Sequence, residues 1–245
     1  MLRAAAKNFT DVVVVTCPED YHELIKEIED NAGAISWETR ASLAQKAFAH
    51  TAKYDSFISH YLSHYIRQNR LMEYPLPDLS QDLLLHYERV QELRYGENPH
   101  QKGYWYREVF PPHAPLAQAK QIQGKELSYN NILDADAAIR ILTDFPEITA
   151  VIIKHNNPCG VACGVSSLEA YKLALGCDPA SAFGGIAGFN RPLEAATAQE
   201  LTSTFLEVII APGYTTEALE IFKRKTNLRV LEVAGAEKPE EWELK

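Results

Sequence analysis

Between Asp11 and Cys17 the chain sets four consecutive valines, Val12 to Val15, a β-branched block that predicts a buried strand. Pro18-Glu19-Asp20 then opens a helical pattern through Glu29, with acidic residues placed favourably in its first turn, and Gly33 ends it. Ser36 suits an N-cap, and the spacing of Leu43, Ala47, Phe48, Thr51, Tyr54, Phe57, Ile58, Tyr61 and Leu62 predicts a helix to about Arg70. That apolar and aromatic stripe reads as packing surface rather than as a cofactor box. Pro75-Leu76-Pro77-Asp78 interrupts the pattern and marks the best internal boundary.

Beyond the boundary the period alternates. Strands are predicted at Ala150–Ile153, Ile186–Phe189, Val208–Ile210 and Leu228–Leu231; helices at Ser166–Leu175, Leu193–Phe205 and Thr216–Lys225. That alternation predicts an α/β layered domain. Glu237 to Lys245 is charged and weakly apolar, as a tail would be.

Composition narrows the possibilities. With 245 residues, 46% of them hydrophobic and 23% charged, the chain can hold one large domain or two modest ones. The net charge of −9 and the lack of a long Lys/Arg block argue against binding long nucleic acid, while leaving room for a small anion held by local cations. No run of about 18 apolar residues is present to span a membrane. The first residues lack the apolar core of a secretion signal. Cys17, Cys159, Cys163 and Cys177 are too few and too scattered for a disulfide framework, which points to reduced thiols in the cytoplasm.

Three segments are polar or glycine-rich where the chain should turn. In Leu93 to Gln101, Arg94 and Tyr95 offer a cation and a planar phenol beside Gly96 and Asn98-Pro99, a clamp for a phosphorylated heterocycle or a decorated surface turn. In Ile152 to Gly160 an apolar strand runs into Lys154 and His155. Lysine can stabilise developing negative charge, and histidine titrates near neutrality. Strand neighbours face opposite ways, so both serve one site only if the backbone turns, which Asn156 to Gly160 allows; a structural histidine is the alternative. The carboxyl end of a strand is also where layered α/β folds gather ligands. In Asp178 to Gly185, Gly184-Gly185 permits close backbone approach, with Ser181 and Phe183 available for hydrogen bonding and stacking, or the segment is a structural turn. It fits neither a dinucleotide fingerprint nor a P-loop. Cys159 and Cys163 are spaced C-x3-C with no upstream H-x-E, which argues against a deaminase zinc site, and no Gly-x-Ser-x-Gly elbow is present.

Taken in order, seven strings resemble the AICAR transformylase/IMP cyclohydrolase family of purine biosynthesis: Arg3 to Asn8, Glu38-Thr39-Arg40 with Lys46 to Thr51, Leu93 to Gln101, Gly124 to Asn131, Lys154 to Gly160, Ser181 to Gly185 and Ile209 to Gly213. The resemblance implies the C-terminal part of a cyclohydrolase domain, residues 1–74 with a connecting helix, followed by the first cytidine-deaminase-like lobe of a transformylase, residues 75–245. It implies formyl transfer from 10-formyltetrahydrofolate to AICAR without a catalytic metal. Residue by residue, it gives His155 the proton, Lys154 the oxyanion, Arg94 and Tyr95 the nucleotide, and the lining of the site to Asn131, Phe183 and Gly184. Glu207 stands where some relatives carry Asp. Lys7 matches a cyclohydrolase lysine whose partners would precede Met1, so ring closure by this chain alone is not expected. A transformylase site shared across a homodimer implies a second subunit or a complementing chain.

Overall fold

The computed structural model describes residues 1–69, 85–109 and 115–233. The expected boundary at Pro75–Asp78 and the expected tail at Glu237–Lys245 lie outside those residues. By contacts, the chain divides into two compact units, Met1–Leu85 and His86–Lys245.

The first unit is helical: α1 (Leu2–Lys7), a short 3-10 turn at Pro18–Asp20, α2 (Tyr21–Asp30) and α3 (Trp37–Asn69). Ser36 caps α3 as its sequence suggests, its hydroxyl accepting the Thr39 amide at 3.1 Å. The valine block departs from expectation. Residues 12–17 run without regular structure, because an isolated segment has no ladder to join; only Val14 is buried, packed with Ala6, Ala44 and Ala47. The α3 stripe packs only in part. Leu43, Ala44 and Ala47 are buried, whereas Tyr54 and Tyr61 are 63% and 64% exposed. The reason is length: a helix of 33 residues extends about 50 Å, far beyond what six-residue α1 can cover.

The second unit carries a two-stranded antiparallel ribbon, β1 (Tyr87–Leu93) with β2 (Gly103–Glu108), and a mixed six-stranded sheet. The sheet contains β3 (Lys120–Gln123), β4 (Thr149–Lys154), β5 (Asn157–Cys163), β6 (Gly185–Phe189), β7 (Leu206–Ala211) and β8 (Arg229–Glu232), in the order β3-β8-β7-β6-β4-β5. Strands β6, β7 and β8 are mutually parallel, while β4 runs antiparallel to both β5 and β6. Helices α4 (Tyr129–Thr143), α5 (Ser167–Cys177), α6 (Ala195–Leu201) and α7 (Thr216–Phe222) cover it.

Burial on both faces explains why the central strands read as unbroken apolar runs. Val151 and Ile153 of β4 pack with Ala135, Ala138, Ile139 and Leu142 of α4. The alternate residues Ala150 and Ile152 belong to a second buried layer that also holds Tyr171 of α5, Leu201 of α6 and Phe222 of α7. Each fully buried Ile, Leu or Phe contributes about 1.5–3 kcal/mol of transfer free energy, so these two layers fix the register of the sheet. The predicted strands and helices of this unit all recur, most with small changes of boundary, but the helix expected at Leu193–Phe205 shortens to Ala195–Leu201 as the chain turns into β7. Helix α4 and strands β1, β2, β3 and β5 add to them.

Tyr214 ties this core together. Its hydroxyl donates to the Leu231 carbonyl at 2.7 Å, and burial pushes its phenol well above its ordinary value. The folded chain therefore holds this proton more tightly than the unfolded chain. Its stabilising effect is complete below the unfolded tyrosine pKa, about 10, and is lost as pH rises beyond it. Tyr214→Phe is expected to cost about 1 kcal/mol at neutral pH and to make the alkaline fall in stability shallower. Urea denaturation at neutral pH and above pH 10 measures both effects.

Candidate functional site

The direction of β4 determines where chemistry collects. Because β4 is antiparallel to β6, its carboxyl end, with Lys154 and His155, lies beside the amino ends of the parallel strands, where Gly185, Leu206 and Arg229 begin β6, β7 and β8. The rule that ligands gather at strand carboxyl ends thus holds for β4 and is reversed for its parallel neighbours. At their opposite ends, a small cavity of 170 Å³ is lined by Phe189, Arg191, Ala211 and Val233 among others. There Arg191 and Asn190 are committed to the carbonyls of Pro146 and Phe145.

His155 and Asn156 form the two-residue turn between β4 and β5, with φ of 52° and 63° respectively. Both values lie in the left-handed region that tight hairpins require, uncommon for histidine and easier for asparagine. The bend therefore precedes the predicted one: Asn157 already opens β5. The Asn156 amide donates to Asp134 Oδ1 at 2.6 Å, pinning the turn to α4. His155 is exposed. Lys154 is half-buried, and its ammonium donates to the Gly184 carbonyl at 2.7 Å.

Gly184 has φ of +69°, and a Cβ there would stand 3.1 Å from Lys154 Nζ and 3.4 Å from the Phe205 ring. Its amide donates to the Phe205 carbonyl at 2.7 Å. Phe183 and Phe205, both largely exposed, meet with ring centroids 5.1 Å apart. Lys154, Phe183, Gly184 and Phe205 thus form one group.

A cleft of about 820 Å³ opens nearby, large enough for a nucleotide-sized ligand. Its walls include Arg94, Tyr95, Ser128, Phe205, Glu207 and Arg229. Lys154 and His155 are not among its lining residues; Phe205 belongs to both places. Lys125, Arg224 and Lys225 also line the cleft. Five cations thus face two carboxylates, Glu126 and Glu207, within a chain whose net charge is −9, so this wall attracts anions.

Glu207 owes its aim to a bulge. Gly185 pairs with Leu206 and Ile186 with Val208, leaving Glu207 as an extra residue. Strict alternation from Val208, which faces α4, would send residue 207 to the opposite side. Instead, Glu207 Oε2 accepts the Asn131 amide at 2.9 Å. Asn131 is itself fixed by a reciprocal cap, its side chain accepting the Ser128 amide and its backbone amide donating to Ser128 Oγ, both at 3.2 Å. At 4% exposure, Asn131 is not itself in the cleft wall but bonds two residues that are, Ser128 and Glu207. Lys7 lies in the first unit, exposed at the end of α1. Among the described residues, no group of three or more His, Cys, Asp or Glu is gathered to hold a metal, and no helix is long and apolar enough to cross a membrane.

Sequence reasoning missed Phe205 and Arg229. The signal for Phe205 was a large apolar residue ending a helical run immediately before a strand. For Arg229 it was a charge inside an otherwise apolar strand.

Comparison with known proteins follows the same lines. The family model described as AICARFT/IMPCHase bienzyme matches residues 5–245. Among curated relatives, the bifunctional purine biosynthesis protein PurH of Myxococcus xanthus is 51% identical over 238 residues, covering 96% of this chain and 44% of that protein. The PurH of Polynucleobacter asymbioticus is 49% identical over 241 residues, covering 95% of this chain and 45% of its own length. That of Oceanobacillus iheyensis is 47% identical over 233 residues. The chain therefore spans a little under half the length of these relatives. A family match over nearly every residue, with relatives about half identical along almost the whole chain, establishes that this chain belongs to the AICARFT/IMPCHase bienzyme family of purine biosynthesis.

Proposed function

We propose that this chain contributes the first transformylase lobe, of cytidine-deaminase-like fold, to formyl transfer from 10-formyltetrahydrofolate to AICAR in the cytoplasm. On this reading residues 75–245 form that lobe and residues 1–74 the end of a cyclohydrolase domain with its connecting helix. The observation that carries the reading is the Lys154 ammonium, held by the Gly184 carbonyl beside Phe205, a residue that also lines the cation-rich cleft.

The chemistry divides among the chain's own residues. The 5-amino nitrogen of AICAR attacks the formyl carbon, and the carbonyl electron pair moves to oxygen. Lys154 stabilises that oxyanion. His155 takes the proton lost by the amine and returns it to the folate nitrogen as the carbon–nitrogen bond to the folate breaks. Arg94 and Tyr95 hold the nucleotide, Phe183 and Gly184 shape the space for a flat ring, and Glu207, steadied by Asn131, supplies a fixed acceptor. No step requires a metal. The site is completed by a second subunit or a complementing chain, consistent with Lys154 and His155 standing outside the wall of the cleft. Lys7 stays outside this chemistry as the cyclohydrolase remnant, and ring closure is not assigned to this chain.

The coverage of less than half of each relative favours a second reading, a non-catalytic nucleotide-binding or assembly fragment. Titrating the purified chain with AICAR and 10-formyltetrahydrofolate and then assaying formylated product separates the two. Product from this chain alone rejects the fragment reading; binding without product favours it. In a version that turns over, His155→Asn is expected to abolish product while leaving the thermal midpoint nearly unchanged, since asparagine tolerates the same backbone. Turnover that survives this change would remove His155 from the mechanism. Lys154→Met is expected to lower kcat by about 10²–10³, the usual loss when an oxyanion donor goes. A change confined to KM would show that Lys154 only binds substrate.

A further inference from the structure

Arg229 is the least exposed of the five cations that line the cleft. Its side chain is only 14% exposed. Nε donates to the Glu126 carbonyl at 2.9 Å. Nη1 stands 3.9 Å from Glu207 Oε2, beyond hydrogen-bond distance, and that oxygen already accepts the Asn131 amide at 2.9 Å. A guanidinium has five N–H donors, so most of those on Arg229 remain for whatever enters the cleft. Burial lowers its pKa from the ordinary arginine value, while Glu207 and Tyr95 pull the other way, which places the Tyr95 phenol within electrostatic reach.

The surroundings hold the guanidinium in place. Gln123 Nε2 donates to the carbonyls of Phe222 and Lys225, at 2.9 and 3.2 Å, fastening the α7–β8 turn to β3. Gln121 Nε2 donates to the Lys125 carbonyl at 2.7 Å, fastening the facing turn. At Gly124, with φ of +101°, a Cβ would stand 2.4 Å from the Leu228 carbonyl, so the two walls touch backbone to backbone. A fixed, largely desolvated cation with a loose partner gains strongly from an anion that brings its own acceptors.

Resting on the formyl-transfer reading, we infer that Arg229 is a substrate-binding residue that receives the phosphate monoester of the nucleotide, opposite Arg94. A phosphate offers oxygens to both guanidinium groups, one just past the end of β1 and one at the start of β8, and a wall of five cations suits a dianion.

The test is calorimetric titration of the purified chain with AICAR, with its unphosphorylated riboside, with 10-formyltetrahydrofolate and with inorganic phosphate. Wild type, Arg229→Gln and Arg229→Lys are compared, with thermal unfolding of each. The expected result is AICAR affinity at least about tenfold weaker in Arg229→Gln, with riboside and folate affinities changed less than about twofold. Arg229→Lys falls between, because it keeps the charge and loses the fork. Equal weakening of AICAR and riboside would make Arg229 a mere support of the wall and overturn the inference. So would unchanged AICAR affinity, or a loss confined to the folate. If Arg229→Gln fails to fold, Arg229→Lys decides: a phosphate-specific loss sustains the inference and none rejects it. If wild type binds neither AICAR nor riboside, yet phosphate raises its thermal midpoint only when Arg229 is present, the AICAR reading fails and the anion site stands. No response to phosphate or AICAR in wild type removes the site itself.

Discussion

The antiparallel run of β4 against β6 is the constraint on which the candidate site depends. Were β4 parallel to its neighbour, Lys154 and His155 would emerge at the far end of the sheet, with the carboxyl ends of β6 and β7. Reversal brings them to the amino ends, where Gly184, Phe205 and Glu207 already converge. Two buried layers hold that direction. Val151 and Ile153 pack on one side and Ala150 and Ile152 on the other, so a slip of one residue would exchange the two faces. Apolar packing thereby sets the position of a polar end, without any of the polar groups having to fix it.

The polar groups refine rather than create this arrangement. Lys154 rests on a main-chain carbonyl and Glu207 on a buried amide whose other bonds form a helix cap. Such partners move little, and they leave each charged group with unused capacity on one side. The same holds for Arg229, anchored through Nε and open through Nη. Side chains held this way need little reorganisation when a ligand arrives, which favours binding charge that develops rather than charge already neutralised.

Much of the second unit is legible in the sequence because its strands are buried on both faces. Ala150–Ile153 and Val208–Ile210 are continuous apolar runs, and Thr215 and Ser166 cap the helices beside them. Elsewhere, context overrides pattern. Val12–Val15 has the composition of a strand, but a strand exists only through hydrogen bonds to a partner, and the described residues supply none. Asn156 to Gly160 reads as a loop, yet Asn157 onward pairs with β4, since the turn needs only two residues in the left-handed region. The Lys154 and Gly184 strings lie far apart in the chain, and their contact depends on strand order, which local periodicity does not encode. Arg229 was hidden for the same reason: its meaning comes from the wall it joins.

The bulge at Glu207 bears on how this chain can vary. The direction of that carboxylate follows from the number of residues between Leu206 and Val208, and not from which acidic residue stands there. Exchange of one carboxylate for another alters reach by one methylene. Removing a single residue would restore a regular ladder and carry the acid to the opposite face of the sheet. At this position the count of residues, more than the choice of acid, decides which face of the sheet receives the charge.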